Sequence, residues 1–403
     1  MNRKAKKKIK ALSLILAFGL LFLLLFFNCA SSKPAVKPLT EEEVAERRKL
    51  AEQNYSLGAE ILKSGDLERA LEKFLVALNY DSTFYPAYIA VGSIYKRKRE
   101  FTQAEIYFQK ALNLDRKKVK AYEALADLYL SVKDYPRAES LYYVGITLDS
   151  TFSELYLGLA QIYIEQGQPR RTDSIYQRAI RLFSDDIAIR RMYGDFLIKE
   201  RRYKEAREMY APCCSRFPEY IDLREKYADI LINLNLYDSA LAQLSFILKE
   251  KPDNLGAILK RAEIYTKKRE TQKALADLKT AKRLAPEDAR VYVQSADFYR
   301  TTSDLVKSEE EIKQAIRIAP DLDIAAVVYG DILKVKAERE YKSKTVAGKK
   351  ASYYLYRMAL AQYQKVPVKS LYYNYAETEI ERCKTWMKRI KEELWFEGVK
   401  VEE

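Results

Sequence analysis

The sequence predicts an all-α repeat solenoid, and three observations support this prediction. A 34-residue period runs without insertion or deletion from residue 51 to residue 322. Within each period, apolar residues recur at the spacing of helices. Glycine (12 residues) and proline (11 residues) are scarce in a chain of 403 residues, which disfavours a loop-rich β architecture. Because one helix pair cannot bury its own apolar face, such repeats must stack on their neighbours.

Composition also limits the chemistry that the chain can perform. It has no histidine, which removes the commonest general base and the commonest zinc ligand. Its four cysteines form neither a disulfide framework nor a CxxC pair. No titratable cluster departs from the repeat pattern. We therefore expect no enzyme activity, no cofactor and no metal site.

The excess of basic over acidic residues is concentrated at the N-terminal end of the chain. Lysine and arginine number 71 against 57 acids, a formal net charge of +14. Nearly half of this excess lies in residues 1–10, which hold no acid. Its six cations are Arg3, Lys4, Lys6, Lys7, Lys8 and Lys10. The remaining excess is spread over a long surface, so the charge gives little support to nucleic-acid binding.

The N-terminus has the pattern of an export signal. After the basic residues, Ala11 to Phe27 is an uncharged run rich in Leu and Phe, which as a helix would span about 25 Å. Cys29 stands just past this run, after Asn28. This arrangement resembles a bacterial lipoprotein signal, which implies a signal peptide or membrane anchor at residues 1–28. It also implies a lipidated Cys29 that starts a tether at residues 29–40. The alternatives are an uncleaved anchor with an incidental cysteine, or a buried helix.

The signal and the uncleaved anchor predict the same topology. The basic end stays in the cytoplasm and everything after Cys29 faces the far side of the membrane. Ala30 follows the cysteine, so the aspartate that retains enteric lipoproteins at the inner membrane is absent. We therefore expect a bacterial envelope protein that faces the periplasm or the outside, with the outer membrane favoured over the inner.

The repeat itself is defined by small and large residues at fixed positions. The eight frames begin at residues 51, 85, 119, 153, 187, 221, 255 and 289. The eighth position is always small: Gly58, Gly92, Ala126, Ala160, Gly194, Ala228, Ala262 and Ala296. The twenty-fourth is always large: Phe74, Phe108, Tyr142, Tyr176, Tyr210, Leu244, Leu278 and Ile312. Small residues allow two helices to approach closely, and large side chains fill the space beside them.

These columns resemble the tetratricopeptide repeat (TPR) family over about two-thirds of the chain. The resemblance implies two helices of about thirteen residues per frame, with a turn near position fifteen, where Gly65 and Gly167 stand. It also implies a right-handed superhelical solenoid of about nine helix pairs with a C-terminal capping helix. Most of the 32 tyrosines then serve in packing.

The ends of the solenoid depart from the pattern. Thr40 to Glu43 forms a capping-box sequence that begins a longer first helix. Eight tandem units then occupy residues 41–322. Residues 323–403 are expected to form a degenerate ninth repeat, in which a basic insertion from Lys334 to Lys350 precedes a helix near 351–365 and a capping helix at about 369–396. A solvated loop is the favoured structure for the insertion; contact with anionic lipid headgroups or with an acidic partner is the alternative.

The family resemblance implies that positions 2, 5, 9, 12 and 13 of each first helix face a concave groove. The residues predicted to bind a partner there are Asp127, Asp195, Asp229, Glu263, Asp297, Asp331, Arg97, Lys199, Lys267 and Arg300. A mixed-charge groove of this kind suits an extended or helical partner segment. The alternative for each acid is that it only solvates the inner face. A clamp for free C-terminal carboxylates is disfavoured, because the family's asparagines are missing.

Cys213 and Cys214 are adjacent, and Cys213 falls in a column of small residues, so we expect packing and no redox function. Together these features predict a membrane-anchored TPR lipoprotein that acts as a scaffold or adaptor for other envelope proteins. Assembly, secretion and cell-wall machinery all use proteins of this build. The alternative function is binding of peptidoglycan or another polysaccharide, or an accessory function beside an enzyme.

Overall fold

The computed structural model describes residues 39–401, which form nineteen α-helices and no strand. The predicted all-α repeat solenoid is confirmed. The expected signal at 1–28, Cys29 and most of the tether lie outside the described residues. From residue 39 to residue 401, no helix combines the length and the apolar character needed to cross a membrane.

The helices belong to two compact units, the first ending at Ala179 and the second beginning at Ile180. The first unit contains four helix pairs. Its helices are α1 (Glu41–Lys63), α2 (Leu67–Tyr80), α3 (Tyr85–Arg97), α4 (Phe101–Leu114), α5 (Val119–Ser131), α6 (Tyr135–Leu148), α7 (Ser153–Glu165) and α8 (Pro169–Leu182), whose last three residues fall in the second unit.

The second unit contains five further pairs and a closing helix. These are α9 (Ile187–Lys199), α10 (Tyr203–Arg216), α11 (Ile221–Asn233), α12 (Tyr237–Glu250), α13 (Leu255–Lys267), α14 (Thr271–Leu284), α15 (Ala289–Thr301), α16 (Leu305–Ile318), α17 (Asp323–Tyr341), α18 (Val346–Tyr363) and α19 (Tyr373–Phe396). Odd-numbered helices up to α17 are the first helices of their repeats, and even-numbered ones are the second.

The turn inside each repeat has one recurring geometry. In all eight regular frames the residue at position fifteen has a positive φ: Gly65, Arg99, Lys133, Gly167, Arg201, Asn235, Arg269 and Ser303. In frames two to eight, the next amide also donates to the carbonyl of position eleven, as Arg202 does to Leu197 at 2.8 Å. This arrangement satisfies carbonyls that the end of a helix leaves free.

Small residues at position eight allow the two helices of a pair to touch. A Cβ atom on Gly92 would lie 2.5 Å from the ring of Phe108, and one on Gly194 would lie 2.5 Å from the ring of Tyr210. Both distances are shorter than carbon atoms tolerate without bonding. The pairing of positions eight and twenty-four predicted from sequence is therefore a direct contact.

Four of the five tyrosines at position eleven are covered by cations from the second helix of the same repeat. The guanidinium carbons of Arg137 and Arg171 lie 4.1 Å and 4.0 Å from the ring centroids of Tyr129 and Tyr163. Lys273 and Lys307 cover two further tyrosines at 5.3 Å and 5.5 Å. Such cation–π contacts stabilise a part-exposed site by about 0.5–1 kcal/mol each. These tyrosines therefore serve in packing, as expected.

The first helix begins as predicted. The Thr40 side chain accepts from the Glu43 amide at 3.2 Å, and the Glu43 carboxylate accepts from the Thr40 amide at 2.8 Å. This reciprocal pair is the capping box.

The expectation of a solvated loop from Lys334 to Lys350 is wrong. Helix α17 continues to Tyr341 and α18 begins at Val346, so only four residues form the turn. Carboxylates from distant parts of the second unit hold three of the lysines on these helices. Lys334 Nζ lies 2.7 Å from Glu379, Lys336 Nζ lies 2.5 Å from Glu309, and Lys349 Nζ lies 2.7 Å from Glu397.

Candidate functional site

The predicted inner-face acid of the first unit is Asp127 on α5. It accepts a hydrogen bond from the hydroxyl of Tyr142 on α6, and Lys96 Nζ on α3 lies 3.5 Å away. The ring of Tyr142 is fully buried, while the Asp127 side chain is about two-fifths exposed. This carboxylate therefore joins the two helices of its repeat and still faces solvent.

Asp195 on α9 repeats this arrangement in the second unit. The hydroxyl of Tyr210 donates to it, and Lys226 Nζ on α11 lies 2.6 Å away. Burial is the main cause that raises the pKa of Tyr210 far above its usual range, with Asp195 adding to it. The hydroxyl is therefore a permanent donor at any physiological pH.

The next three acids of the second unit have cations as neighbours. Asp229 pairs with Lys260 of the following repeat at 2.6 Å. Glu263 pairs with Lys267 on its own helix at 2.6 Å, and Asp297 pairs with Arg300 at 2.5 Å. The structure therefore pairs two predicted acids with predicted cations, Glu263 with Lys267 and Asp297 with Arg300, whereas the partner of Asp229 was not predicted. Since these groups are part-exposed, each pair adds only about 0–1 kcal/mol to stability and can be exchanged for a partner's charge.

Asp331 is less available than the other acids. It accepts from the hydroxyls of Tyr363 at 2.6 Å and Tyr375 at 2.8 Å, and its side chain is only 15% exposed. Beside it, Lys334 bonds the buried carboxylate of Glu379. This cluster attaches α18 and α19 to α17, the first helix of the ninth repeat. Asp331 therefore contributes more to the packing of the C-terminal cap than to a binding surface.

The two remaining predicted cations are exposed and have no ion-pair partner among residues 39–401. They are Arg97 at the end of α3 and Lys199 at the end of α9. They are available for a partner's carboxylates.

A pocket of about 540 Å³ lies in the second unit, between the N-terminal halves of α9 and α11 and the loop that joins α10 to α11. The pocket residues are Ile187, Ala188, Arg191, Phe217, Tyr220, Asp222, Leu223 and Lys226. Its lining is mainly apolar, with charged groups at the rim. The rings of Phe217 and Tyr220 are 5.7 Å apart, and Tyr220 is 55% exposed.

The pocket adjoins the predicted inner face. Ala188, Arg191 and Asp222 occupy positions two and five of their frames, which were expected to face the groove. Arg191 and Lys226 also approach Asp195, at 3.9 Å and 2.6 Å. An apolar recess beside exchangeable charges can take an apolar side chain together with a charged neighbour.

Sequence reasoning missed Phe217 and Tyr220, because it considered only positions on the first helix. A signal was nevertheless present. Position thirty-one is aspartate in the first three frames and lysine or alanine in the last three. Only the fifth frame has aromatic residues at both position thirty-one and position thirty-four.

The cysteines of the described chain do not form a reactive site. Cys213, Cys214 and Cys383 are buried and unbonded. Burial raises the pKa of Cys214 and of Cys383 to about 11, so both thiols stay protonated. The Cys213 thiol donates weakly to the carbonyl of Met209 at 3.3 Å. This supports the packing interpretation for the adjacent pair.

Comparison with protein families locates the repeats independently. A family model described as tetratricopeptide repeat matches residues 85–118 and 289–322, and a second model of the same description matches residues 197–262. The first two segments coincide with the second and eighth frames. The chain contains tetratricopeptide repeats. TPR proteins bind partner proteins through their repeats, and the TPR fold is typically a non-catalytic scaffold.

Several solved structures are similar to this TPR chain. A tetratricopeptide repeat protein from Parabacteroides merdae is 17% identical over 63% of this chain and 99% of its own, with a TM-score of 0.39. The C-terminal part of a TPR protein from Cytophaga hutchinsonii is 15% identical over 59% and 97%, with a TM-score of 0.48. Pseudomonas aeruginosa pilF is 19% identical over 61% and 96%, with a TM-score of 0.35. No curated protein matches the sequence.

Proposed function

We propose that this TPR protein is a lipid-anchored scaffold of the bacterial cell envelope, which binds another envelope protein through the inner face of its first helices. The pocket of Phe217 and Tyr220 carries the proposal. It offers an apolar recess, and the charges around it can be shared with a partner. Such a recess is the feature that dominates affinity in protein interfaces, where buried aromatic anchors contribute most.

The partner segment proposed here is extended or helical, and it is bound without any reaction being catalysed. One apolar side chain fills the recess beside Tyr220, and the charged residues flanking it pair with Arg191, Lys199 or Asp222. Because the inner-face ion pairs are part-exposed, exchanging them costs little, and they select the partner more than they strengthen binding.

Anchoring is the second component of the proposal. The basic N-terminus, the apolar run from Ala11 to Phe27 and Cys29 support lipid attachment, with outer-membrane residence favoured. A lipid and a short tether would raise the effective concentration of partners at that surface. The intact mass of the N-terminal peptide tests this: diacylglycerol on Cys29 is expected, and an unmodified Met1 or Cys29 would contradict it.

The scaffold itself is tested by crosslinking in intact cells, purification of the tagged chain and mass spectrometry. We expect one near-stoichiometric envelope protein with the native chain and much less of it with Tyr220→Ala. The matched control is Leu284→Ala, at an apolar residue of α14 that is 40% exposed and outside the pocket. Equal recovery from both variants would contradict binding at the pocket.

Polysaccharide binding is the second candidate, because an exposed aromatic ring in a pocket also suits stacking on a sugar. Cosedimentation of the purified chain with isolated cell wall distinguishes the two. Retention that Tyr220→Ala abolishes, with no protein recovered from crosslinked cells, would replace the scaffold with a glycan-binding function.

A further inference from the structure

One segment of the second unit has an extreme charge composition. Between Glu340 and Glu377 the chain has no acidic residue, yet it has seven lysines and arginines. Only Lys349 is paired, with Glu393 and Glu397. The other six are exposed and have no carboxylate partner within residues 39–401: Lys342, Lys344, Lys350, Arg357, Lys365 and Lys369. This segment therefore carries a strong positive charge that the fold does not neutralise.

Helix α18 orders part of this charge along one face. Its buried face consists of Ser352, Tyr353, Tyr356, Ala359 and Tyr363, which pack into the core of the cap. The exposed face has Lys350 and Arg357 seven residues apart, with the apolar side chain of Met358 next to Arg357. Since a helix repeats every 3.6 residues, these two cations lie on the same side of α18, two turns apart. Lys365 follows in the loop, two residues after the helix ends at Tyr363.

Lys365 lies beside a second cluster of cations. A recess of about 520 Å³ between α16 and α18 brings Lys365 together with Lys313 and Arg317, against the single carboxylate of Glu310. Lys313 is partly neutralised by Glu309 at 2.6 Å. Arg317 and Lys365 have no such partner among the described residues, so the recess favours an anionic group.

The loop after α18 presents apolar side chains to solvent. Val368 is 75% exposed and Leu371 is 95% exposed. The loop is ordered by its own backbone, with the Ser370 amide donating to Pro367 at 2.9 Å and the Tyr373 amide donating to Ser370 at 3.2 Å. Exposing two aliphatic side chains to water on an ordered loop is energetically unfavourable. Such exposure marks an interaction site.

We propose that α18 and the loop at residues 364–372 form a docking surface for an anionic lipid bilayer. Lys350 and Arg357 on the helix and Lys365 on the loop contact the headgroups, while Val368 and Leu371 enter the boundary with the acyl chains. Basic side chains beside protruding aliphatic residues are typical of membrane-surface segments. An acidic protein would pair with the cations but would not explain why Val368 and Leu371 are exposed. The proposal does not depend on lipidation of Cys29 or on the pocket at Tyr220.

The test uses the full chain reconstituted in vesicles. A genetically encoded fluorescent amino acid replaces Leu371, and the lipids include one that is spin-labelled on the acyl chain. We expect quenching in phosphatidylcholine vesicles that contain phosphatidylglycerol, and none in phosphatidylcholine alone. The matched control has the same fluorophore in place of Val306, an exposed residue of α16, and is expected to stay unquenched in both. All samples have the same N-terminus, so any anchoring by it is equal among them.

Charge reversal and salt provide the second arm. Arg357→Glu with Lys365→Glu is expected to abolish quenching at position 371, and high salt is expected to do so in the unaltered chain. No quenching in any vesicle, equal quenching without phosphatidylglycerol, or quenching that survives both high salt and charge reversal would overturn the proposal. So would an emission shift with polyglutamate but not with vesicles, since that assigns the surface to an acidic protein.

Discussion

The hydroxyl of Tyr210 on α10 donates to the carboxylate of Asp195 on α9, and the ring of the same tyrosine lies against Gly194. One side chain thus joins the packing column of the repeat to its inner face. Tyr142 makes the same hydrogen bond to Asp127 in the first unit. In these repeats the residues expected to bind a partner are positioned by residues of the core.

Tyr210→Phe is expected to destabilise the protein by about 1.5–3 kcal/mol, the usual contribution of a hydrogen bond to a charged group. The ring and its packing remain, so the loss reports the hydroxyl alone. Urea unfolding measures it. Tyr227→Phe is the matched control, because that hydroxyl has no hydrogen-bond partner among residues 39–401, and equal losses would contradict the account.

Gly194→Ala is expected to destabilise by about 1–3 kcal/mol, since the new methyl would lie 2.5 Å from the Tyr210 ring and force repacking. Gly256 provides the opposite case. A Cβ there meets only the Asn254 side chain, at 3.4 Å. Gly256→Ala is therefore expected to stabilise helix α13 by about 0.5–1 kcal/mol. Thermal unfolding measures both, and a neutral Gly194→Ala would contradict close contact at position eight.

Arg261 holds a buried carboxylate. Its Nε and one terminal nitrogen lie 2.8 Å and 2.7 Å from the two oxygens of Asp277, which is only 6% exposed. Arg261→Met is expected to cost about 3–5 kcal/mol, because it leaves an unpaired buried charge. The double variant with Asp277→Leu is expected to recover most of that loss. Denaturant unfolding of the three proteins checks this, and additive losses would contradict it.

The buried thiols are expected to resist alkylation in the native protein. Cys214 and Cys383 have pKa values raised to about 11 by burial, so thiolate forms only when the pH approaches 11 or the protein unfolds. Iodoacetamide treatment at pH 8, followed by peptide mass spectrometry, is expected to leave both unmodified. In denaturant both are expected to react completely. Rapid native labelling of either would contradict this burial.

Features that repeat along the chain were predictable from sequence, and features made by distant residues were not. The small residue at position eight and the large one at position twenty-four appear in every frame, so their contact could be inferred before the structure. The turn at position fifteen was equally predictable. It also accepts Arg99 and Lys133 at positive φ, because the frame determines the backbone there.

The two errors have different causes. Lys334, Lys336 and Lys349 suggested a solvated loop because counting charge within a segment cannot detect Glu379, Glu309 and Glu397, which bond them from other helices. The pocket at Phe217 and Tyr220 was missed because only positions on the first helix of each repeat were considered. It exists only where the starts of α9 and α11 meet the loop between repeats.

Site-specific photocrosslinking in intact cells would show whether the pocket beside Tyr220 binds a protein partner. A photoreactive amino acid would replace Tyr220 in one strain and Leu284 in another. We expect a discrete adduct with one envelope protein from position 220 and none from position 284. The same adducts from both positions, or no protein adduct from position 220, would contradict binding at this pocket.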